Sequence, residues 1–415
     1  MTSPFGYEFF DSRGFAIGFF VFFIVLIYSF FLLQKHDLNR RIIIGILILS
    51  CAGHFIGSIL NYWFSITAGS DSVMYFQQKY ASDRGKWGFY FAEKFLEFLK
   101  TNVSDSFMSM FFLFGSLGLL ASVYFFLTFK TLLDQISNNQ KLYCLDRKQL
   151  FFPALVILCW PSYFFWSAGL VKDSFAFLSV ALLLYAIARG KVDIQGLITF
   201  CIGSALGLVV RPYLFVIVAL SVIIYVLLSS KMNYFFKIGI LVLLGIATSM
   251  VMPMLSSYNL SFLKGSVTTI GQQLIYQQQV LSVGSSIPVP TSDPRLIFFC
   301  LPYLFFANLF LPLGFGASNF IGVVSSIENA YLVWCVFFFF KNKLIWSQIC
   351  KNVRILKFLF IYFVVGMSCL SAMCTNLGLA MREKIMYVPA LLICFSLVYS
   401  YRRILIIRHY LQKQA

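Results

Sequence analysis

Charge is scarce in this chain. Of its 415 residues 11% are charged and 60% are hydrophobic, whereas a soluble domain is about one quarter charged. That scarcity excludes a water-soluble globular protein, because so much apolar side chain cannot be hidden from water by folding alone; a bilayer must act as its solvent. Acidic residues are scarcer still, 15 Asp+Glu against 32 Lys+Arg, which leaves a net charge of +17. In a soluble protein that excess would point to nucleic acid. Here most of it sits in short loops between apolar runs, where it orients helices by the positive-inside rule, so nucleic acid is not an expected partner. Histidine is nearly absent, with 3 in all. His36 and His409 fall in basic loops, and His54 lies in an apolar run, where a packed ring is expected rather than a base. No P-loop, HExxH, GxSxG or DxD-type pair occurs, so neither ATP-driven transport nor a metal or cofactor is expected. The 10 cysteines lie mostly inside apolar runs (Cys51, Cys159, Cys201, Cys300, Cys335, Cys369 and Cys394) and lack metal-ligand spacing. They read as small hydrophobes.

What the chain has in abundance is long apolar runs. A spanning helix needs about 20 mainly apolar residues. The runs Phe15–Leu33, Ile42–Trp63, Phe107–Phe129, Leu150–Trp166, Ser174–Ala188, Ile194–Val210, Leu214–Leu228, Ile238–Leu255, Ile321–Phe340, Phe358–Cys374 and Val388–Ser400 predict an all-α polytopic membrane protein with about eleven spans. Phe15–Leu33 lacks the small-residue cleavage pattern of a signal peptide, so it reads as a span. Leu296–Leu313 holds Pro302 and Pro312. Counting it as a span would move the Lys-rich loop after Phe340 to the other side, so a re-entrant or interfacial helix is predicted there.

Alternate loops carry most of the basic residues, among them Arg40, Lys130, Arg147, Arg189, Lys231, Lys343, Lys351 and Arg402. That set is expected on the cytoplasmic side. The N-terminus then lies outside and the C-terminus inside, with Ser70 and Gly284 outside and Lys343 inside. The two longest loops also fall outside: Ser65–Ser106, and Ser256–Arg295, which reaches about residue 320 with the re-entrant segment. No internal repeat, low-complexity linker or second domain is visible, so residues 1–415 read as a single integral membrane domain.

Charges near membrane depth are costly and often functional, and the predicted outer helix ends carry a set of them. Asp71 lies in Gly69-Ser70-Asp71-Ser72-Val73-Met74-Tyr75. Lys172 and Asp173 end the tight turn that follows Trp160-Pro161-Ser162-Tyr163. Arg211 sits in Val210-Arg211-Pro212-Tyr213, a turn so short that the guanidinium must stay near the interface. Glu328 stands near the start of a span, and Arg382, Glu383 and Lys384 follow Asn376-Leu377-Gly378. Each has a plain reading as well: Asp173 favoured by a helix dipole, Arg211 as a snorkelling anchor, Glu328 as a cap, and Asp71, Arg382 and Lys384 as loop charges. As a group they suit an anionic ligand, since arginine forks match phosphate oxygens. Trp87, Phe91, Phe95, Phe98 and Leu99 share one helical stripe, which fits either an interfacial helix or one seated on the transmembrane core. Gln272, Gln273, Tyr276, Gln277, Gln278 and Gln279 offer donors and acceptors that suit sugar hydroxyls, or make a solvated polar helix.

The order of these features resembles the bacterial oligosaccharide repeat-unit polymerases, the Wzy-type O-antigen and capsule polymerases with the EpsG-like group. The matching stretches are Gly69-Ser70-Asp71 with Tyr75; Pro161-Ser162, Phe165-Trp166-Ser167 and Lys172-Asp173; Arg211-Pro212; Pro312, Asn319 and Ser326-Ile327-Glu328-Asn329; and Asn376-Leu377-Gly378 with Arg382. The resemblance implies a GT-C-like helical bundle in the bacterial inner membrane, working on its periplasmic face without nucleotide sugar, metal or cofactor. Its substrates would be undecaprenyl-pyrophosphate-linked oligosaccharides, with a chain-length regulator protein as a further partner. It implies that Arg211, Arg382 and Lys172 hold the pyrophosphate, with Tyr75, Tyr213, Tyr276 and Lys384 completing the substrate-binding set. Asp71, Asp173 and Glu328 are then the candidates to orient or deprotonate the acceptor hydroxyl, Asp71 being favoured by analogy with other GT-C enzymes. The chain lacks the long Arg-rich second periplasmic loop of some members, which leaves open which arginines serve the donor. A GT-C glycosyltransferase using a polyprenyl-phosphate sugar, and a lipid-linked oligosaccharide flippase, are the competing expectations.

Overall fold

A computed structural model describes residues 3–35, 40–77, 87–139, 147–170, 172–190, 193–228, 233–235, 237–240, 242, 267–276, 278–279, 286–314 and 320–414. Most of the predicted span Ile238–Leu255, together with Gln277, Gly284 and Asn319, lies outside them. The described residues are almost entirely helical and contain no strand. Five helices are long and apolar enough to cross a bilayer: Ser12–Gln34, Ile44–Ala68, Phe107–Ser137, Ile321–Lys341 and Val388–Ile407. Shorter apolar stretches cover Leu150–Trp166, Ile194–Val210, Pro212–Leu228, Phe299–Phe310 and Ile355–Ser371. The chain is therefore an all-α, multi-pass membrane protein.

It divides into two compact units. The first comprises residues 1–211, 344–355 and 392–415, and the second residues 212–343 and 356–391. The first holds α1 (Ser12–Gln34), α2 (Arg40–Ala68), α3 (Asp71–Phe76), α4 (Trp87–Asn102), α5 (Phe107–Asn139), α6 (Arg147–Leu158), α7 (Pro161–Trp166), α8 (Lys172–Arg189) and α9 (Ile194–Val210). Its polarity is reversed relative to a soluble bundle. On α1 the buried face is Gly14, Gly18, Phe22, Ser29, Leu32 and Leu33, while Phe19, Phe20, Phe23, Ile24 and Phe31 are exposed. Bilayer helices associate through small residues and interhelical hydrogen bonds, and leave their large apolar side chains to lipid.

The contacts inside this unit are close. A Cβ on Gly18 would stand 2.2 Å from the Phe112 ring, and one on Gly57 would stand 2.0 Å from the carbonyl oxygen of Phe164. Asn61 Nδ2 donates to the Phe165 carbonyl at 2.7 Å, which fixes α2 against α7. His54, fully buried, lies between Ser122 Oγ (3.2 Å) and Ser167 Oγ (3.3 Å) and edge-on to Phe164. It is a packed histidine, as the sequence suggested. The predicted run Leu150–Trp166 is interrupted at residues 159–160, where Pro161, which has no N–H to donate, starts α7. The aromatic stripe of α4 is seated on protein. Ala92, Leu96 and Leu99 are buried, and Phe95 meets Phe175 of α8 and Phe114 of α5 at ring distances of 5.2 and 6.4 Å. Of the two expectations for this stripe, packing on the core is found for Phe91, Phe95 and Leu99, while Phe98 is exposed.

The second unit holds α10 (Pro212–Leu228), α11 (Val267–Tyr276), α12 (Ile297–Phe310), α13 (Phe320–Lys341), nearly all of α15 (Ile355–Ser371), α16 (Leu377–Glu383), a 3-10 turn at Lys384–Met386 and the first residues of α17 (Val388–Gln414). The rest of α17 and nearly all of α14 (Lys343–Asn352) belong to the first. Leu274, Ile287, Ile297, Leu304 and Ala307 form a small core under the second long loop. The Ile287 N–H donates to the Thr375 carbonyl at 2.7 Å, tying that loop to the turn before α16. The 14 residues of α12 rise about 21 Å, short of the roughly 30 Å hydrocarbon core. That helix is too short to cross alone.

Candidate functional site

The predicted site residues fall into two groups, one in each unit. The first is built at the start of α8. The turn before it is pinned by Ser174 Oγ, which donates to the carbonyls of Ser167 and Gly169, and by the Leu170 N–H, which donates to Ser72 Oγ of α3 at 3.4 Å. These bonds set Lys172 and Asp173 at the head of the helix. Arg211 closes α9: its own N–H still donates to the Gly207 carbonyl at 2.8 Å, but its backbone has left the helical region, and the side chain turns inward. The Arg211 guanidinium meets the Asp173 carboxylate in an ion pair whose side chains are 6% and 5% exposed. The Lys172 ammonium lies 5.5 Å from the centre of the Tyr75 ring, and Tyr75 is itself buried. Asp71, one helical turn before Tyr75 on α3, is exposed. The structure thus brings Tyr75, Lys172, Asp173 and Arg211 together. In this arrangement Asp173 first of all orients Arg211.

The second group lies at the 3-10 turn after α16. Lys384 is 3% exposed. Its Nζ donates to Asn329 Oδ1 at 2.6 Å and to the Leu309 carbonyl at 3.5 Å. Asn329 and Glu328, neighbours on α13, are both buried. Burial pulls the Lys384 ammonium down from its usual value to about 8, against the opposing pull of Glu328. Glu383 accepts from the Tyr213 hydroxyl at 2.8 Å, and Arg382 is half-buried. Tyr276 is exposed at the end of α11, and Gln278 of the polar run accepts from the Val289 N–H at 3.2 Å.

Sequence reasoning did not place Asn329 or Asn308 in a site. Both are buried amides on apolar helices, and an asparagine inside an apolar run is the signal that would have found them. Among the described residues no group of three His, Cys, Asp or Glu side chains is placed to hold a metal ion.

The depressed Lys384 value has a consequence for stability. The folded state holds this proton less tightly than the unfolded chain, whose lysines titrate near 10.5. The cost of burying the charge is therefore complete below about pH 8 and fades as pH rises toward 10.5. In thermal unfolding in detergent from pH 7.5 to 9.5, the wild type should gain stability relative to Lys384→Met by on the order of 2 kcal/mol. Parallel pH curves for the two proteins would show that the buried ammonium is not the source.

The fold and these clusters define a helical multi-pass membrane protein with ionisable side chains held inside each of its two compact units. No protein-family model, curated protein or solved structure matches the chain.

Proposed function

We propose that the protein polymerises undecaprenyl-pyrophosphate-linked oligosaccharide repeat units at the periplasmic face of a bacterial inner membrane, through a GT-C-like bundle of about eleven spans. The observation that carries this reading is the buried Arg211 of the first unit, held by Asp173 beside Lys172. An arginine fork kept in an apolar surrounding is suited to phosphate oxygens. A polymerase handles two lipid-linked substrates, each with a pyrophosphate, and the chain offers cations in each unit: Lys172 and Arg211 in one, Arg382 and Lys384 in the other.

In the reaction the acceptor hydroxyl attacks the anomeric carbon of the donor sugar. The bond to the undecaprenyl pyrophosphate breaks, and the acceptor proton passes to a carboxylate, for which exposed Asp71 is the first candidate. Cations at the leaving pyrophosphate stabilise its developing charge, which is often the largest catalytic contribution. Exposed Tyr276 is available to sugar hydroxyls, and Glu328 is a second candidate base.

The test is a deletion strain analysed by polysaccharide gel. Cells without the protein should still make and flip single repeat units and show no ladder. Arg382→Lys and Asp71→Asn should each shorten or thin the ladder at unchanged protein level. Repeat units trapped on the cytoplasmic side would instead identify a flippase and end the polymerase reading.

A further inference from the structure

Asn329 takes part in neither set of proposed contacts, yet it is fully buried and both ends of its amide are engaged. Its Nδ2 donates to the Pro312 carbonyl at 3.0 Å, which fixes the orientation of the amide and turns Oδ1 toward Lys384 Nζ at 2.6 Å. An ammonium carries three donors. Here one is taken by Asn329 and one, at 3.5 Å, by the Leu309 carbonyl, and the third has no acceptor among the described residues. A lysine needed only for charge balance would be drawn to a carboxylate. The hydrogen bonds of this one go to neutral oxygens, which aim the ammonium, while the charge of Glu328 also acts on it. Two residues earlier on the same segment Arg382, a second cation, is half-exposed. A second polar group lies nearby in sequence. Asn308, beside Leu309, is 1% exposed; its Nδ2 donates to the Leu304 and Cys374 carbonyls, while its Oδ1 is buried with no hydrogen-bond partner among the described residues.

We propose that Asn329 is a positioning residue, whose amide aims the Lys384 ammonium at a phosphate oxygen of the lipid-linked substrate. The assignment rests on the reading of Lys384 as a substrate contact. A phosphate that accepts from Lys384 also favours its charged form, and an opposite charge within hydrogen-bond reach raises a pKa by about 1–3 units. The buried ammonium near the midpoint of its titration is poised for that change. Binding should therefore take up a proton above pH 8.

The experiment reads the reactivity of Lys384 itself, so it does not depend on polymer synthesis. Full-length protein in phosphatidylcholine nanodiscs is acetylated with trace acetic anhydride between pH 7 and 10, and labelling of Lys384 is measured by mass spectrometry. One arm has no addition, one has inorganic pyrophosphate, and one has undecaprenyl pyrophosphate in the nanodisc. In the wild type, pyrophosphate in either form should slow Lys384 labelling at pH 8.5 by about threefold, the effect of a one-unit rise from about 8. Protection by the lipid arm alone would assign the site to the lipid headgroup, and protection by both would show that phosphate oxygens suffice. In Asn329→Ser, which removes the aiming oxygen, protection should fall below about twofold. In Asn329→Asp a carboxylate beside the ammonium should slow labelling without any ligand and abolish the ligand effect. Each variant is accepted only as a monodisperse protein of wild-type retention volume. Equal protection in wild type and both variants would overturn the positioning role, and no protection in any arm would overturn the anion site. Protection in a protein whose deletion leaves the ladder intact would sink the polymerase reading while leaving this site standing.

Discussion

Asp173→Ala should destabilise the protein by about 3–5 kcal/mol, the usual cost of removing one partner of a buried ion pair. The carboxylate and the Arg211 guanidinium are each about nineteen-twentieths buried, and removing the acid leaves the arginine charge unbalanced in an apolar interior. The effect should appear as early unfolding or a loss of monodisperse protein in detergent. The double variant Asp173→Ala/Arg211→Leu should recover most of that stability, because replacing a buried ion pair by apolar residues is often neutral or favourable. It should not recover the polysaccharide ladder. Arg211→Lys keeps the charge but loses the planar fork; it should lower polymer yield at unchanged protein level. A snorkelling anchor would accept Lys without loss, so a normal ladder from Arg211→Lys would remove Arg211 from the site.

Gly57→Leu should prevent assembly of the first unit. The new Cβ would stand 2.0 Å from the Phe164 carbonyl oxygen, a backbone atom that cannot move unless α7 shifts. Overpacking costs typically 1–3 kcal/mol, occasionally more; with backbone in the way, about 3 kcal/mol or more is expected. Size-exclusion profiles of detergent extracts should show aggregate in place of a sharp peak. Gly45, on the same helix, has nothing within 4 Å of its Cβ position. Gly45→Leu should be neutral or slightly stabilising, since glycine within a helix costs about 0.5–1 kcal/mol. Similar profiles for the two variants would refute the close α2–α7 contact.

The helices were legible in the sequence because a span advertises itself by length and hydropathy, properties of contiguous residues. Phe15–Leu33 and Phe107–Phe129 needed nothing else, and Ser12–Gln34 and Phe107–Asn139 are the helices found. The charged residues were legible as well, since few charges fall near the ends of apolar runs. What could not be read was which of them meet. Arg211 and Asp173 are 38 residues apart, and their pairing depends on α8 and α9 lying side by side. Lys384 read as either a substrate contact or a loop charge, and neither reading showed that the 3-10 turn carrying it is folded under α12 and α13, leaving it 3% exposed. Burial of this kind is a tertiary property with no local signature. Asn329 did carry a local signal, an amide inside an apolar run, but its role comes only from the carbonyl and the ammonium that flank it.

The near-complete enclosure of α8 by protein bears on how the chain enters a bilayer. Fifteen of its residues are buried, and Lys172, Asp173 and Arg189 weaken its apolar character. A segment with these charges inserts reluctantly on its own, since translocation scales assign Lys, Arg and Asp about 2.5–3.5 kcal/mol each at the centre of a span and less toward its ends. The next helix is different: α9 is strongly apolar, and Ile194, Leu197, Ile198 and Ile202 project outward. Gly203 and Gly207 on its other side lie against Ser179 of α8, whose hydroxyl donates to the Gly203 carbonyl at 2.7 Å. The two helices are thus suited to partition from the insertion machinery as one hairpin, the second carrying the first into lipid. The Arg211–Asp173 pair, which joins the end of one to the start of the other, is the clasp that closes it.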